Sequence, residues 1–367
     1  FCLRWFLPKD GREWLRDLEL SEDETQVGRA VESMKEAVYP ALSPNRTLGA
    51  LGGIVASRVA REFHSGGPSH TFSSEENSGM RAIEAGLRAL QRGELDLAIA
   101  GAIDMAGDLR HILASHAQKP YANSDLIPPF EKESEGALPG DGAAAVVLKR
   151  LDDALRDGDR VYCVIKGFGL ATGGKPEDCV PTAEAYAQSL ERAYQDAAVS
   201  PLSIGYFETH GSGSLLEDAI EAEGLQKFFS RQPRESSKDE FASPKLRCAL
   251  GTVKPVVGHT GCAAGLFSVI KAAVCLYQEI LPAATPLTHP HESLRSLNER
   301  FFTPRTAQYW VRNRSDGPRR AGVSSMSIDG NCTHLVLEAV EPARDKEPPR
   351  VSLERRQPVG QRPEGLF

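Results

Sequence analysis

The sequence predicts a layered α/β fold, with sheets covered by helices, and three observations predict it. LDLAIAGAIDM (95–105) is a nearly continuous apolar run, the appearance of a strand buried on both faces. Ahead of it, Met80, Ile83, Leu87 and Leu90 recur at steps of three and four, which gives a helix one apolar face. Runs and helices of these two kinds then alternate to about residue 340.

Taken in order, residues 1–45 are charged and mixed, an irregular segment with one helix at about 23–37. LGALGGIVASRVAREF (48–63) reads as a helix whose small residues permit close packing. GGPSHTFSSEENSG (66–79) holds glycine, proline and serines before it turns helical, and Gly93 ends that helix. AAAVVLKRL (143–151) and VYCVIKGFGLAT (161–172) are strands, residues 182–198 a helix, and SIGYFE (203–208) a strand whose end carries THGSGS. A helix over 216–229, a polar surface loop over 230–245 and the strand CALGT (248–252) follow. GCAAGLFSVIKAAVCLYQ (261–278) is a helix rich in small residues. QYWV (308–311), AGVSSMSI (321–328) and THLVLEAV (333–340) are the closing strands. Beyond Glu341 the composition turns to proline, arginine and glutamate, which reads as a disordered tail or interdomain linker over 342–367.

The 367 residues leave room for one large domain or two to three smaller ones, and 41% hydrophobic with 25% charged residues is ordinary for a globular protein. The net charge of −7 argues against nucleic acid or an anionic membrane surface as partner, because no basic field is present to hold phosphates. The one basic spot, Arg312, Arg314, Arg319 and Arg320, is interrupted by Asp316, Gly317 and Pro318 and reads as a solvated strand entry. Seven cysteines show no CxxC pair and no metal-ligand spacing; the odd count suits free thiols in a reducing cytosol. No membrane span is expected. The opening FCLRWFLPKDGREW lacks a basic leader and a small-residue cleavage site, so it is not read as a signal peptide.

Three segments carry the chemistry: GGPSHTFSSEENSGMRAIEAGLRALQRGELDLAIAGA (66–102), YFETHGSGSLLEDAIEAEGL (206–225) and LGTVKPVVGHTGCAAGLFSVIKAAVCLYQEILP (250–282), with RRAGVSSMSIDGNCTHLVLE (319–338) in support. Over roughly residues 45–340 they resemble the β-ketoacyl synthase family of fatty acid and polyketide synthases. The resemblance implies a thiolase-like fold: two related βαβαβ halves whose sheets sandwich buried helices, here over 46–152 and 153–341. The segment before residue 45 lacks the opening strands of a whole family domain, so the N-terminal half is expected to be partial and the chain a fragment of a larger synthase.

By this resemblance a cysteine at a helix N-terminus carries an acyl chain as thioester, a malonyl thioester loses CO2, and the resulting carbanion attacks the acyl group. His210 of THGSGS and His259 of VGHTG match the two histidines that stabilise the oxyanion and the enolate. Lys254 matches the lysine that supports the second histidine, and Asp218 and Glu221 match an acidic pair, read here as helix-start charges. The departure is at the nucleophile. The family has Thr-Ala-Cys-Ser-Ser where this chain has Ser74-Glu75-Glu76-Asn77-Ser78, which puts Glu76 on the cysteine. A carboxylate forms no transferable acyl thioester, and it places negative charge where the enolate would develop. Ser73-x-x-Glu76 has the form of a capping box; a second, compatible reading pairs Glu76 with His210 or His259 as a lock on the pocket. The family's Gly-Phe-Gly-Gly-Thr-Asn turn becomes Ser327-Ile328-Asp329-Gly330-Asn331-Cys332, so side chains should narrow the site. Cys262, beside His259, reads as a small core residue.

In lacking the cysteine the chain resembles chain-length-factor proteins, which pair with an active ketosynthase as a pseudo-symmetric dimer. SSEENSG followed by GLRALQRGELDLAIAGAIDMAGD is most similar to the corresponding domain of bacterial polyunsaturated fatty acid synthases. The implied partners are an active ketosynthase and an acyl carrier protein bearing substrates on phosphopantetheine, in the cytoplasm, with no bound cofactor. A malonyl-thioester decarboxylase using the two histidines and Lys254, and a plain scaffold for carrier-protein docking, are the alternatives.

Overall fold

The structure, a computed structural model, describes residues 2–18, 23–38, 43–49, 51–105, 109–123, 129–132, 134–175, 178–232, 247–285, 287–295, 300–313 and 316–340. The tail over 342–367 and most of the polar stretch over 230–245 lie outside the described residues. The chain divides into two compact units, Phe1–Thr71 and Phe72–Phe367.

The first unit is helical: α1 (Cys2–Asp17), α2 (Glu24–Val38), α3 (Pro44–Gly49) and α4 (Ile54–Glu62). This corrects the expectation of an irregular segment with one helix. Pro8 and Gly11 lie inside α1, although both residue types disfavour helix interiors. At the start of α2 the Asp23 carboxylate accepts the Thr25 N–H at 2.8 Å, which satisfies one donor that the first turn leaves open. Val27 and Val31, one turn apart on α2, are buried with Leu15 of α1. Three such side chains, at about 1.5–3 kcal/mol each when fully buried, make a small core. α4 buries none of its residues.

The second unit opens with a 3₁₀ turn over Glu75–Asn77 that runs into α5 (Ser78–Gln91). Met80, Ile83 and Leu90 are buried, as their spacing predicts. In chain order follow β1 (Leu97–Asp104), α6 (Leu109–Gln118), β2 (Gly142–Lys149), α7 (Leu151–Asp157), β3 (Val164–Thr172), α8 (Ala183–Ala197), β4 (Tyr206–Glu208), α9 (Leu215–Ser230), β5 (Cys248–Gly251), α10 (Lys254–Val257), α11 (Ala264–Gln278) and β6 (Ile280–Leu281). α12 (Glu292–Arg295), β7 (Phe301–Phe302), β8 (Gln308–Tyr309), β9 (Arg320–Met326) and β10 (Asn331–Glu338) complete it.

Six strands form one sheet in the order β3-β10-β9-β4-β5-β7. β9, β4, β5 and β7 run parallel, and β10 runs antiparallel between β9 and β3. One core holds Tyr186, Leu190 and Leu225 of α8 and α9 with Phe207 and Val336 of the sheet. The other holds Met80 and Ile83 of α5, Leu266, Val269 and Leu276 of α11, and Val323 and Leu335 of the sheet. Beyond α5 and α11 lies a second, two-stranded antiparallel sheet of β1 and β2. The two helices are therefore a middle layer between sheets, the sandwich that the resemblance implied. They meet closely because both offer glycine: a Cβ on Gly79 would stand 2.9 Å from Leu266, and one on Gly265 2.5 Å from Met80. The segment 261–278 is apolar and long enough to cross a membrane by composition, but more than half of it is buried as this middle helix.

One expectation about strands is corrected. β1 is not buried on both faces: Leu97, Ile99 and Ile103 are about half exposed, and Val147 on β2 is 65% exposed. Only one face of this small sheet is covered by α5 and α11, and the continuous apolar run alone does not distinguish one covered face from two.

Candidate functional site

The site is built around the end of β4. His210, two residues beyond it, is fully buried. Its backbone N–H and that of Gly211 donate to the two oxygens of Glu221 at 2.9 and 2.8 Å, and Tyr186 Oη donates to the same carboxylate at 2.7 Å. Lys254 Nζ donates to the His210 carbonyl. The Met326 N–H, at the end of β9, donates to Nδ1 of His210 at 3.1 Å. Nδ1 is thereby the acceptor, so the ring proton belongs on Nε2. Asp218, one position on from Glu217, takes the Phe130 N–H at 2.7 Å and the Gly213 N–H at 3.3 Å. Asp218 and Glu221 are thus buried brackets that hold backbone, rather than charges at a solvated helix start.

His259 follows α10. Its N–H donates to Leu138 O at 2.6 Å and its carbonyl accepts the Gly140 N–H at 3.2 Å. The Gly261 N–H donates to Nδ1 at 3.2 Å, which again leaves the proton on Nε2. The two rings face each other edge to face with centroids 5.7 Å apart. Neither Nε2 has a hydrogen-bond partner among the described residues, and both are buried. Burial and the nearby Lys254 push His210 down to about 3, and burial with Lys119 and Lys254 lowers His259 well below the usual histidine range. Both imidazoles are therefore neutral N–H donors at neutral pH. Burial also brings Lys254 down to about 8.

Glu76 lies in the 3₁₀ turn, and the structure corrects its capping-box reading. The helix proper starts at Ser78, and no side chain caps either the turn or the helix. The tighter turn aims Glu76 across the molecule: Oε2 accepts the Ile328 N–H at 3.0 Å, and Oε1 lies 3.7 Å from Lys119 Nζ. The direct pairing of Glu76 with a histidine is corrected as well. Lys119, just beyond α6, donates to Glu217 Oε1 at 2.5 Å, and Glu217 Oε2 stands 3.6 Å from Nε2 of His210. That last distance is too long for a hydrogen bond but short for a Coulomb contact. The line of charge therefore runs from Glu76 through Lys119 and Glu217 to His210. Burial would discharge Lys119, but Glu217 and Glu76 outweigh it and hold the ammonium above its ordinary value. Burial works likewise against Glu217, yet Lys119 and His210 hold that carboxyl well below the usual range. For Glu76 burial prevails over Lys119, and its carboxyl is pushed up.

The turn over 327–331 packs beside it. Asn77, fully buried, donates to Ser327 Oγ at 3.1 Å and to the Asn331 carbonyl at 2.8 Å, and accepts from Thr333 Oγ1 at 2.8 Å. Cys262 donates its Sγ–H to the Ile103 carbonyl at 3.0 Å, and burial raises its thiol to about 11. Of the basic spot, Arg319 donates to the Trp310 carbonyl and Arg320 pairs with Glu338 at 2.7 Å; Arg314 lies outside the described residues. No group of three or more His, Cys, Asp or Glu able to hold a metal occurs among the described residues.

The structure thus brings His210, His259 and Lys254 together and connects Glu76 to them through two residues that the sequence reading did not select. Glu217 had a signal, as the first of three carboxylates at 217, 218 and 221 on one helix. Lys119 had none, since it belongs to no motif. Chemically, the site offers two neutral N–H donors and an ion triad whose central partner Glu217 is fully buried, with a carboxylate where an acyl-carrying sulfur would stand.

Comparison with known proteins accounts for this arrangement. The β-ketoacyl synthase N-terminal domain matches residues 20–154 and the β-ketoacyl synthase C-terminal domain residues 162–288. Polyketide synthase PksL of Bacillus subtilis is 32% identical over 308 residues, which are 81% of this chain and 6% of that protein. A ketosynthase from module 6 of the Bacillus subtilis bacillaene synthase superposes with a TM-score of 0.73 at 27% identity, over 82% of this chain and 53% of that one. The PfaC keto synthase–chain length factor structure gives 0.61 at 30% identity, over 73% and 27%. The chain spans about half the length of the ketosynthase structure and a small part of the synthases. With both family domains matched in order and the histidine-bearing loops seated at the ends of the sheet, the chain belongs to the β-ketoacyl synthase family of fatty acid and polyketide synthases.

Proposed function

We propose that this chain is a non-condensing, chain-length-factor-like part of a fatty acid or polyketide synthase. It pairs with an active β-ketoacyl synthase that performs the decarboxylative condensation on substrates carried by an acyl carrier protein. The observation that supports this most is Glu76 at the nucleophile position, tied into an ion triad with Lys119 and Glu217. Attack by this carboxylate on an acyl thioester would have to expel a thiolate to form a mixed anhydride, which reverts or hydrolyses readily, so Glu76 holds no stable acyl group for condensation. Likeness to PfaC, a keto synthase–chain length factor structure, supports the same reading. Co-expression with a cysteine-bearing ketosynthase tests it. Bulky substitutions at Asn77 or Ile328 should shift product length while the isolated chain stays inactive; unchanged product lengths would remove the reading.

One observation favours a second reading, a malonyl-thioester decarboxylase. Both Nε2 atoms are buried without partners, which is how donors awaiting an enolate oxygen would stand. Glu217, 3.6 Å from Nε2 of His210, opposes it by placing a negative charge there. CO2 release from malonyl-carrier protein by the isolated chain, lost in His259→Ala, would establish this reading; no release would dismiss it.

A further inference from the structure

We infer that Glu76 is the tethered occupant of a small-carboxylate site built by this chain, and that the site accepts a free two- or three-carbon carboxylate once that side chain is cut back. The inference rests only on the non-condensing part of the reading above.

Two donors converge on the Glu76 carboxylate. The Ile328 N–H lies 3.0 Å from Oε2, and the Lys119 ammonium lies 3.7 Å from Oε1. This set suits a planar anion with two oxygens, backbone amide on one and cation on the other. Neither donor relies on Glu76 for its position. Ile328 sits in the turn that Asn77 fixes through Ser327 and Asn331, and Asn77 is itself held by Thr333. Lys119 is held by Glu217 at 2.5 Å, and its backbone N–H donates to Ser115 O at 2.7 Å. Glu217 is in turn fixed by Ser212 Oγ. Truncating Glu76 therefore removes the anion and leaves its receptor standing. The donors left behind are partly buried, so a carboxylate of matching size regains contacts that water makes only in part.

In the native chain the site is filled by an attached ligand, whose occupancy does not depend on concentration. A thioester carbonyl approaching position 76 meets donors already engaged. This explains inactivity by occupation as well as by loss of a nucleophile.

The test is thermal melting of the full chain carrying Glu76→Ala, in sodium acetate, propionate, trimethylacetate or chloride at equal ionic strength. Acetate and propionate should raise the melting temperature along a saturating curve, as a ligand bound only by the folded state does. Chloride and the bulky trimethylacetate should give no such curve, and the native chain should not distinguish acetate from chloride. A variant that responds equally to acetate and chloride overturns the proposal. If Glu76→Ala does not fold in chloride, acetate must restore the native circular dichroism spectrum; failure to do so overturns it as well. The readout involves no partner and no product. A flat acetate response therefore removes only the carboxylate site, whereas unchanged product lengths on co-expression remove only the chain-length reading.

Discussion

Two regions of the same site are held by different means. The histidine cradle is fixed almost entirely through backbone: Met326 and Gly261 N–H groups set the ring tautomers, and Glu221 and Lys254 bind the main chain at His210. The position opposite is fixed through side chains far apart in sequence, Glu76, Lys119 and Glu217. The cradle's main chain is in turn bracketed by two buried side chains, Glu221 and Lys254, so it depends on those two positions above its other neighbours. In the side-chain triad Lys119 keeps Glu217 at 2.5 Å without Glu76, so its members are separable.

The largest effect is expected where the cradle itself is cut. Glu221→Ala leaves the His210 N–H, the Gly211 N–H and the Tyr186 hydroxyl without their acceptor. Each unsatisfied buried group costs about 1–3 kcal/mol, so urea unfolding should show a loss of about 3 kcal/mol or more. A loss within about 0.5 kcal/mol would mean that the cradle is not held from this helix.

The cradle also dictates a pH dependence. Burial lowers His210 and His334 to about 3, against about 6.5 in an unfolded chain. A depressed histidine contributes stability that is complete above pH 6.5 and is lost as pH falls toward 3, because only the unfolded chain takes up the proton. The slope is about 1.4 kcal/mol per pH unit for each histidine across that window. Asp218, raised to about 7 by burial, acts in the opposite sense between about pH 4 and 7, since the folded state retains its proton. Wild type is therefore a poor test. The informative comparison is with His334→Gln, which removes a buried ring that meets Ser324 and Tyr194. Its stability curve below pH 6.5 should be shallower by one proton, and equal slopes would show that His334 titrates normally.

How much of this the sequence disclosed follows the same division. The loops bearing His210 and His259 were readable because each is a local motif at the end of an apolar strand. Glu76 was readable as a misplaced charge, but its partner was not, for Lys119 lies in polar sequence with no periodicity. The capping-box reading failed because a 3₁₀ turn precedes the helix, and spacing along the chain does not separate those two geometries. β1 was read as doubly buried because apolar composition reports what can be covered, not what covers it. α1 was missed because Pro8 and Gly11 argue against helix by propensity, a weak prior that context overrides.

The smallest effect is expected at the triad, from Glu76→Gln. The amide keeps an oxygen for the Ile328 N–H, and Lys119 keeps Glu217, so the change at low pH should stay within about 1 kcal/mol. Its dependence on pH is more telling than its size. Burial raises the Glu76 carboxyl above its ordinary value despite Lys119. The folded state therefore resists ionisation that the unfolded chain undergoes, and stability relative to the glutamine variant is lost as pH rises through the folded value. The two unfolding curves should coincide in acid and separate above about pH 4.3, with the variant the more stable. The opposite separation would mean that Lys119 prevails over burial and holds Glu76 as a charged partner. In that case acetate rescue of Glu76→Ala should weaken as the anion is protonated in acid. If burial prevails, rescue should persist into mildly acidic solution, where the protonated acid still presents a carbonyl oxygen to the Ile328 N–H.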